Sequence, residues 1–441
     1  MQDLNRGREL LEAARSRQRQ ALSGQGIEPE DVGRLYASAV AYLELAARAP
    51  AAPAEALRLL GAALMESGDA EAAVRELERA ARRAAGGAGV LVELGIMYMG
   101  LSRRAEAREC FEQALAREPA HPAAHASMAL LLLGSGDFER GWGEYEWRLR
   151  TPFDRAPRGE LPYAGCGQTL AGANVFVASE QGIGDEIMFA SCVPDLAAEA
   201  GRCVLECSGR LVPLFARSFP GTQVIARSRS AWPAPATTGP IGCGLWAGSL
   251  PRRYRPSLGA FPGGAYLRPD PRAVEEWRSE LDRLGAKRRV GIAWTGGLPE
   301  TSRAQRSLPL RALEPLFELP DTVFVSLELL DRSAEAHEIS ASRRAGLRHW
   351  PGVAADPERL AALIAALDLV ISVPNAAAHL AGAIGRETWV LVTGAPTWRY
   401  MWEGDRVPWY GSMRVLRRDA GDAVSDWIGE VRDSLALRFS L

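Results

Sequence analysis

Three kinds of side chain in this sequence could act together on one ligand. Asp185 closes the run Glu180-Gln181-Gly182-Ile183-Gly184-Asp185, and a carboxylate in that setting can take a proton from a hydroxyl group. Arg303 and Arg306 follow A-W-T-G-G (Ala293 to Gly297), where guanidinium groups can neutralise a diphosphate or a sugar acid. Within that run, Gly296 and Gly297 allow close backbone approach to a phosphate, and Trp294 stands beside them. His379 lies one turn into an alanine-rich helix after Pro374 and Asn375, from where it could donate to a phosphate oxygen. Glu328, at the end of V-S-L-E, could accept hydrogen bonds from a base or a ribose. Each also has a plainer role open to it: a helix cap for Asp185, surface charge for the arginines, a loop acid for Glu328, packing for His379.

The elements that must position these residues can be read from the apolar pattern. A strand, Asn174 to Ala178, precedes the Asp185 run and a helical stretch follows it, so the carboxylate falls on a strand–turn–helix junction. Gly182 and Gly184 are expected to let the chain turn where a side chain would clash. At the second junction Pro374 and Asn375 make the turn and the N-cap, and small alanines open the helix. Helix starts offer orphan N–H groups and a positive dipole end, and open α/β sheets bind ligands beyond the carboxyl ends of their strands.

Around these junctions the alternation is that of parallel sheets. Strands V-F-V-A, C-V-L-E-C and T-Q-V-I-A alternate with amphipathic stretches up to about Arg227. Residues 228–262, rich in Pro, Gly, Ser and Arg, read as loops or a flexible insertion. A second unit begins after the helix Arg272 to Leu284, with strands R-V-G-I-A-W, T-V-F-V-S-L, D-L-V-I-S-V and T-W-V-L-V and a last helix from Ala423 to Leu437.

The N-terminal third has a different periodicity. Gly61 and Gly95 lie 34 residues apart, and the residues around them repeat: Leu57, Leu60, Leu64, Ala73, Leu77 and Ala80 match Leu91, Leu94, Tyr98, Ala107, Phe111 and Ala114. Such a period resembles the tetratricopeptide repeat, whose small residues let antiparallel helices approach. A divergent unit places Ala129, Leu132, Gly141 and Tyr145 at the same offsets. In a degenerate N-terminal unit, Ala39, Leu43 and Ala46 fit a second helix while Gly24, Gly26 and Pro29 disrupt the first. Stacked repeats form a concave surface that commonly holds peptides. Trp142, Tyr145 and Trp147, in the segment after the repeats, are expected to pack the end of the solenoid.

Composition narrows the class. The chain has 441 residues, enough for two or three domains, and a formal net charge of −2, which leaves no electrostatic footprint for nucleic acid. Basic charge is almost all arginine, Lys287 being the one lysine. Six scattered cysteines and five dispersed histidines show no zinc spacing, and no apolar run reaches a membrane span. The expectation is a soluble, cytoplasmic protein without a metal or cofactor.

Taken together, E-Q-G-I-G-D, V-G-I-A-W-T-G, R-S-L-P-L, A-A-A-H-L-A-G-A-I-G and P-W-Y-G-S-M resemble the motifs of bacterial tetratricopeptide-repeat glycosyltransferases. The catalytic half of that family is similar to the lipopolysaccharide heptosyltransferases and, more distantly, to O-GlcNAc transferases. The resemblance implies helical repeats over 1–150, a linker over 151–172, and a GT-B pair of Rossmann-like halves over 173–271 and 272–441. It implies an inverting, metal-independent enzyme with Asp185 as general base, and a nucleotide-sugar site built by Gly184, Trp294, Gly296, Gly297, Arg306, Glu328, Asn375 and His379. Members that modify flagellin have this order of domains, which implies a protein acceptor held by the repeats. Many relatives carry Asp-Thr where this chain has Pro374-Asn375, so a different donor, or a scaffold without activity, is the alternative expectation.

Overall fold

The computed structural model describes residues 1–22, 29–49, 52–83, 87–151, 169–228, 231–297, 306–329, 331–342, 346–394, 397–419 and 421–440. They fall into two compact units, Met1–Leu132 with Glu144–Thr151, and Leu133–Gly143 with Pro152–Leu441. Gly24, Gly26, Arg303 and most of the 151–172 segment lie outside the described residues. No helix among the described residues is long and apolar enough to cross a membrane.

The first unit is a row of helices: α1 (Gln2–Leu22), α2 (Pro29–Ala47), α3 (Ala54–Ser67), α4 (Ala70–Ala81), α5 (Ala88–Gly100), α6 (Arg104–Arg117) and the greater part of α7 (Pro122–Gly134). Consecutive helices pack as pairs, α1 on α2, α3 on α4 and α5 on α6. The glycines of the 34-residue period explain how. A Cβ at Gly61 would meet Leu77 Cγ at 2.8 Å, and one at Gly95 would lie 2.8 Å from Phe111 Cδ1, so each large residue fills the space its glycine leaves. Ala129 and Tyr145 repeat the same offset and are both buried. The N-terminal unit departs from expectation. Its first helix is the long α1, and Gly7 supplies the small residue, its Cβ position lying 2.6 Å from Leu43 Cγ. Pro29 opens α2 instead of breaking a helix, as its fixed φ and missing N–H allow.

The second unit contains two sheets. β1 (Asn174–Ala178), β2 (Arg202–Cys207), β3 (Thr222–Ala226) and β4 (Cys243–Trp246) are parallel, in the order β3-β2-β1-β4. β4 lies inside the stretch expected to be loop. It is four residues long, carries Gly244, and is flanked by Pro and Gly, so its pattern is too short to register in the sequence. Helices α8 (Phe138–Tyr145), α9 (Ile183–Phe189), α10 (Val193–Glu199), α11 (Val212–Ser218), α12 (Pro235–Thr238) and α13 (Leu250–Tyr254) precede or surround this sheet in the chain, the last two residues of α8 belonging to the first unit.

The second sheet holds β5 (Arg288–Ala293), β6 (Thr322–Ser326), β7 (Leu347–Arg348), β8 (Leu369–Ser372), β9 (Thr388–Val392), β10 (Arg406–Val407) and β11 (Tyr410–Arg417). Its order is β10-β11-β9-β8-β5-β6-β7, with only the β10–β11 pair antiparallel. Leaving β10 aside and numbering within the sheet, this is the 3-2-1-4-5-6 order of a dinucleotide-type fold, with the reversal between β5 and β8. Helices α14 (Pro271–Asp282), α15 (Ser333–Ser342), α16 (Pro357–Ala366), α17 (Ala376–Ala383) and α18 (Val424–Arg438) complete it. The chain is thus a set of helical repeats followed by two α/β sheets, the first parallel and the second parallel but for β10, as expected.

Candidate functional site

Two loops leave the second sheet on either side of its reversal point, one after β5 and one after β8. Asn375 ties them together. Its Nδ2 donates to the Thr295 carbonyl at 3.2 Å, while its Oδ1 accepts from the Ala378 amide at 3.1 Å and from Ser372 Oγ at 3.0 Å. Asn375 is therefore the N-cap of α17, as its residue type suggests, and also the staple of the crevice.

The β5 loop has a second support. Glu328 Oε1 accepts from the amides of Trp294 and Thr295, both at 2.8 Å, and the side chain is buried. That carboxylate holds the loop from below, a role that differs from the base or ribose contact expected of it. Trp294 also stands apart from the expected contacts, because its indole belongs to the apolar core with Ile292, Leu313 and Phe317. Gly296 is pressed against Arg306, whose Cβ would lie 2.7 Å from an added methyl, and its amide donates to Ser307 Oγ at 2.9 Å. Gly297 follows with φ 34°.

From the first sheet, α9 brings Asp185 to the same place. Here the glycine roles divide. A Cβ at Gly184 would lie 3.2 Å from His379 Cδ2 and 3.6 Å from Ala376 Cα, so this glycine lets α9 and α17 touch. Gly182 has ordinary extended dihedrals, φ −93° and ψ 167°, and the left-handed residue of the turn is Gln181 at φ 59°. The strain thus falls on a residue that was not suspected. Glu180 secures the turn from the other side of β1 by accepting from the Gly248 amide at 2.6 Å, across the reversal point between β1 and β4.

Asp185 is paired. Arg399 Nε donates to its Oδ1 at 2.7 Å, and the Arg399 guanidinium carbon lies 4.7 Å from the centre of the Trp398 ring. Both members are about one-fifth exposed, so the pair faces the crevice. Arg306 sits in the same field: burial lowers its pKa most, and Tyr400, Arg399 and Asp185 all act on it. Arg399 was missed because no local pattern marks a cation 214 residues from the acid it meets.

His379 has less freedom than expected. Its ring is buried, with Nδ1 3.0 Å from Tyr410 Oη and Nε2 3.3 Å from Tyr400 Oη. In the neutral ring one of these nitrogens donates and the other accepts. Nearby, Tyr266 Oη donates to the Ile187 carbonyl at 2.8 Å, and its ring stacks on that of Tyr410 with centroids 6.5 Å apart. Burial pushes the His379 pKa down to about 4, so the ring is neutral at pH 7. A neutral, doubly bonded imidazole under the crevice suits a positioning role more than direct donation to a phosphate.

No protein-family model matches the chain. Among curated proteins, Protein FlbA of Caulobacter vibrioides is 34% identical over 344 residues, which is 73% of this chain and 57% of FlbA. The chain thus spans little more than half the length of that relative. Among solved structures, E. coli ADP-heptose lps heptosyltransferase II aligns over 61% of this chain and 100% of its own, at 14% identity and a TM-score of 0.43. A Thermobaculum terrenum O-GlcNAc transferase mutant aligns over 90% of this chain and 84% of its own, at 14% identity and a TM-score of 0.32.

Proposed function

We propose that the second unit is an inverting, metal-independent glycosyltransferase that moves a sugar from a nucleotide donor to a hydroxyl of a protein acceptor. The observation that carries this reading is the meeting of Asp185 with Arg399, in the electrostatic field of Arg306, beside two loops stapled at a sheet reversal point. Asp185 takes the proton of the acceptor hydroxyl as its oxygen attacks the anomeric carbon. The bond from that carbon to the donor phosphate breaks, and the leaving phosphate gains negative charge. Arg306 and Arg399 stabilise that charge, and the β5 loop and the start of α17 hold the phosphates. Arg399 releases Asp185 as the donor phosphate draws it away. The helical repeats present the acceptor polypeptide, for which the family resemblance makes flagellin the first candidate.

The test is turnover with a panel of nucleotide sugars on wild type and Asp185→Asn. Loss of a positioned base costs about 10²- to 10⁴-fold in rate while donor binding stays. An Asp185→Asn enzyme with wild-type turnover refutes the role of Asp185.

One observation favours a second reading, a protein-binding scaffold without activity. Arg399 already occupies the Asp185 carboxylate. Calorimetric titration with UDP, GDP, ADP and CMP separates the two. Micromolar affinity for one of them supports the transferase, and no affinity for any supports the scaffold.

A further inference from the structure

Arg399 and Tyr400 reach Asp185 and His379 from one short stretch, residues 397–402, and that stretch is held in an uncommon conformation. Met401 has φ 61°, in the left-handed region where a non-glycine residue persists only if its surroundings impose it. Part of what imposes it is Arg417, whose guanidinium donates to the carbonyls of Tyr400 at 2.7 Å and Met401 at 3.1 Å. The rest comes from Leu133–Gly143, which belongs to the same compact unit although it precedes both sheets by more than thirty residues.

Two contacts do this work, one on each side of Met401. On the near side, the Trp142 indole stands edge-on to Trp398, with centroids 5.6 Å apart at 84°, and Trp398 carries the Arg399 guanidinium on its face. Trp142 is itself fixed, fully buried, with Nε1 donating to the Arg255 carbonyl at 2.9 Å. On the far side, the Trp402 amide donates to the Gly134 carbonyl at 2.8 Å, and the Trp402 indole lies where a Gly134 Cβ would be. Gly134 thus needs to be glycine for closeness and not for its dihedrals.

We propose that Leu133–Gly143 is a positioning element of the candidate site, acting through Trp398 and Trp402 to keep Arg399 on Asp185 and Tyr400 on His379. Trp142 and Gly134 are its positioning residues, and neither touches the reacting groups. The consequence for the reaction rests on the transferase reading, whereas the brace itself is a matter of geometry.

Both parts can be measured on the full chain. Amide hydrogen exchange reads the brace: in Trp142→Leu and in Gly134→Val, the amides of Tyr400, Met401 and Trp402 should exchange about tenfold or more faster, with β1 and β8 still protected. Trp142→Phe, which keeps an aromatic edge, should restore most of the protection. Inorganic pyrophosphate titration reads the consequence: Trp142→Leu should lose about as much affinity as Arg399→Ala, and the double variant no more than Arg399→Ala alone. Unchanged exchange at 400–402 in a folded Trp142→Leu protein would overturn the brace, and additive losses in the double variant would overturn its action through Arg399. If wild type binds no pyrophosphate, the anion site of the transferase reading fails, and the exchange result still decides the brace.

Discussion

Protonating His379 should destabilise the folded protein and break the chain of hydroxyls around it. Burial is the main reason its pKa falls to about 4, with Asp185 opposing and Arg399 and Arg306 adding to the fall. An unfolded histidine titrates near 6.5, so the gap corresponds to about 3 kcal/mol, at about 1.4 kcal/mol per pH unit. The sign follows from proton counts. Below about 6.5 the unfolded chain holds a proton on this ring that the folded chain refuses, so stability falls with pH until about 4, where the folded ring also titrates. There is a structural counterpart: a second ring proton turns the accepting nitrogen into a donor, so the tyrosine hydroxyl that donated to it must turn away. The assay is ¹⁵N NMR of labelled histidine rings in the full chain, with His379→Gln identifying the signal. The His379 signal should report one neutral tautomer and stay fixed from about pH 8 to about pH 5. A midpoint near 6.5 would falsify the burial argument.

Other perturbations have equally definite signs. Glu186 is buried and its pKa is raised to about 7, chiefly by desolvation, so its effect runs opposite to that of His379. Stability tied to its neutral form is present below about 4.5 and lost as pH rises through about 7, by about 3 kcal/mol in all. Glu186→Gln should therefore match wild type near pH 5 and exceed it near pH 8 in urea titrations that follow the second unit. Glu328→Ala leaves the Trp294 and Thr295 amides without their acceptor, at about 1–3 kcal/mol each, and nucleotide affinity should fall as the β5 loop loosens. In the repeats, Gly95→Ala drives a methyl into Phe111 and should cost about 1–3 kcal/mol. Calorimetric melting should show that loss in the transition of the first unit alone, and a shift in the second would count against the domain division.

Local signals made much of the architecture legible. The 34-residue period marked the helix pairs because the same steric need, a large side chain over a glycine, recurs at Gly61 and Gly95. Strands β5, β6, β8 and β9 are buried runs long enough to read, and the junctions at Asp185 and Asn375 announce themselves by residue type. Failures came where the signal was short or shared. β4 and β7 are strands of four and two residues, and β11, beside the edge strand β10, exposes part of its length, so none has a pattern of its own. The three aromatics after the repeats also part company. Trp142 joins Trp398 and Trp409 in the second unit, whereas Tyr145 lies under Arg148 and Trp147 stacks on His125 at 3.9 Å in the first.

What the sequence by itself determined is the set of junctions: which residues end a strand, cap a helix or leave room for a neighbour. These depend on dihedral preference, hydrogen bonding within a few residues and apolar period, all of which act locally. What only the tertiary structure decided is the use each junction is put to. Arg399 reaches Asp185 across 214 residues of chain, Glu328 turns inward to hold a loop, and two tyrosines from separate segments close on the His379 ring. Charge and hydrogen bonding act through space, and the distances through which they act exist only once the two sheets have closed on one another.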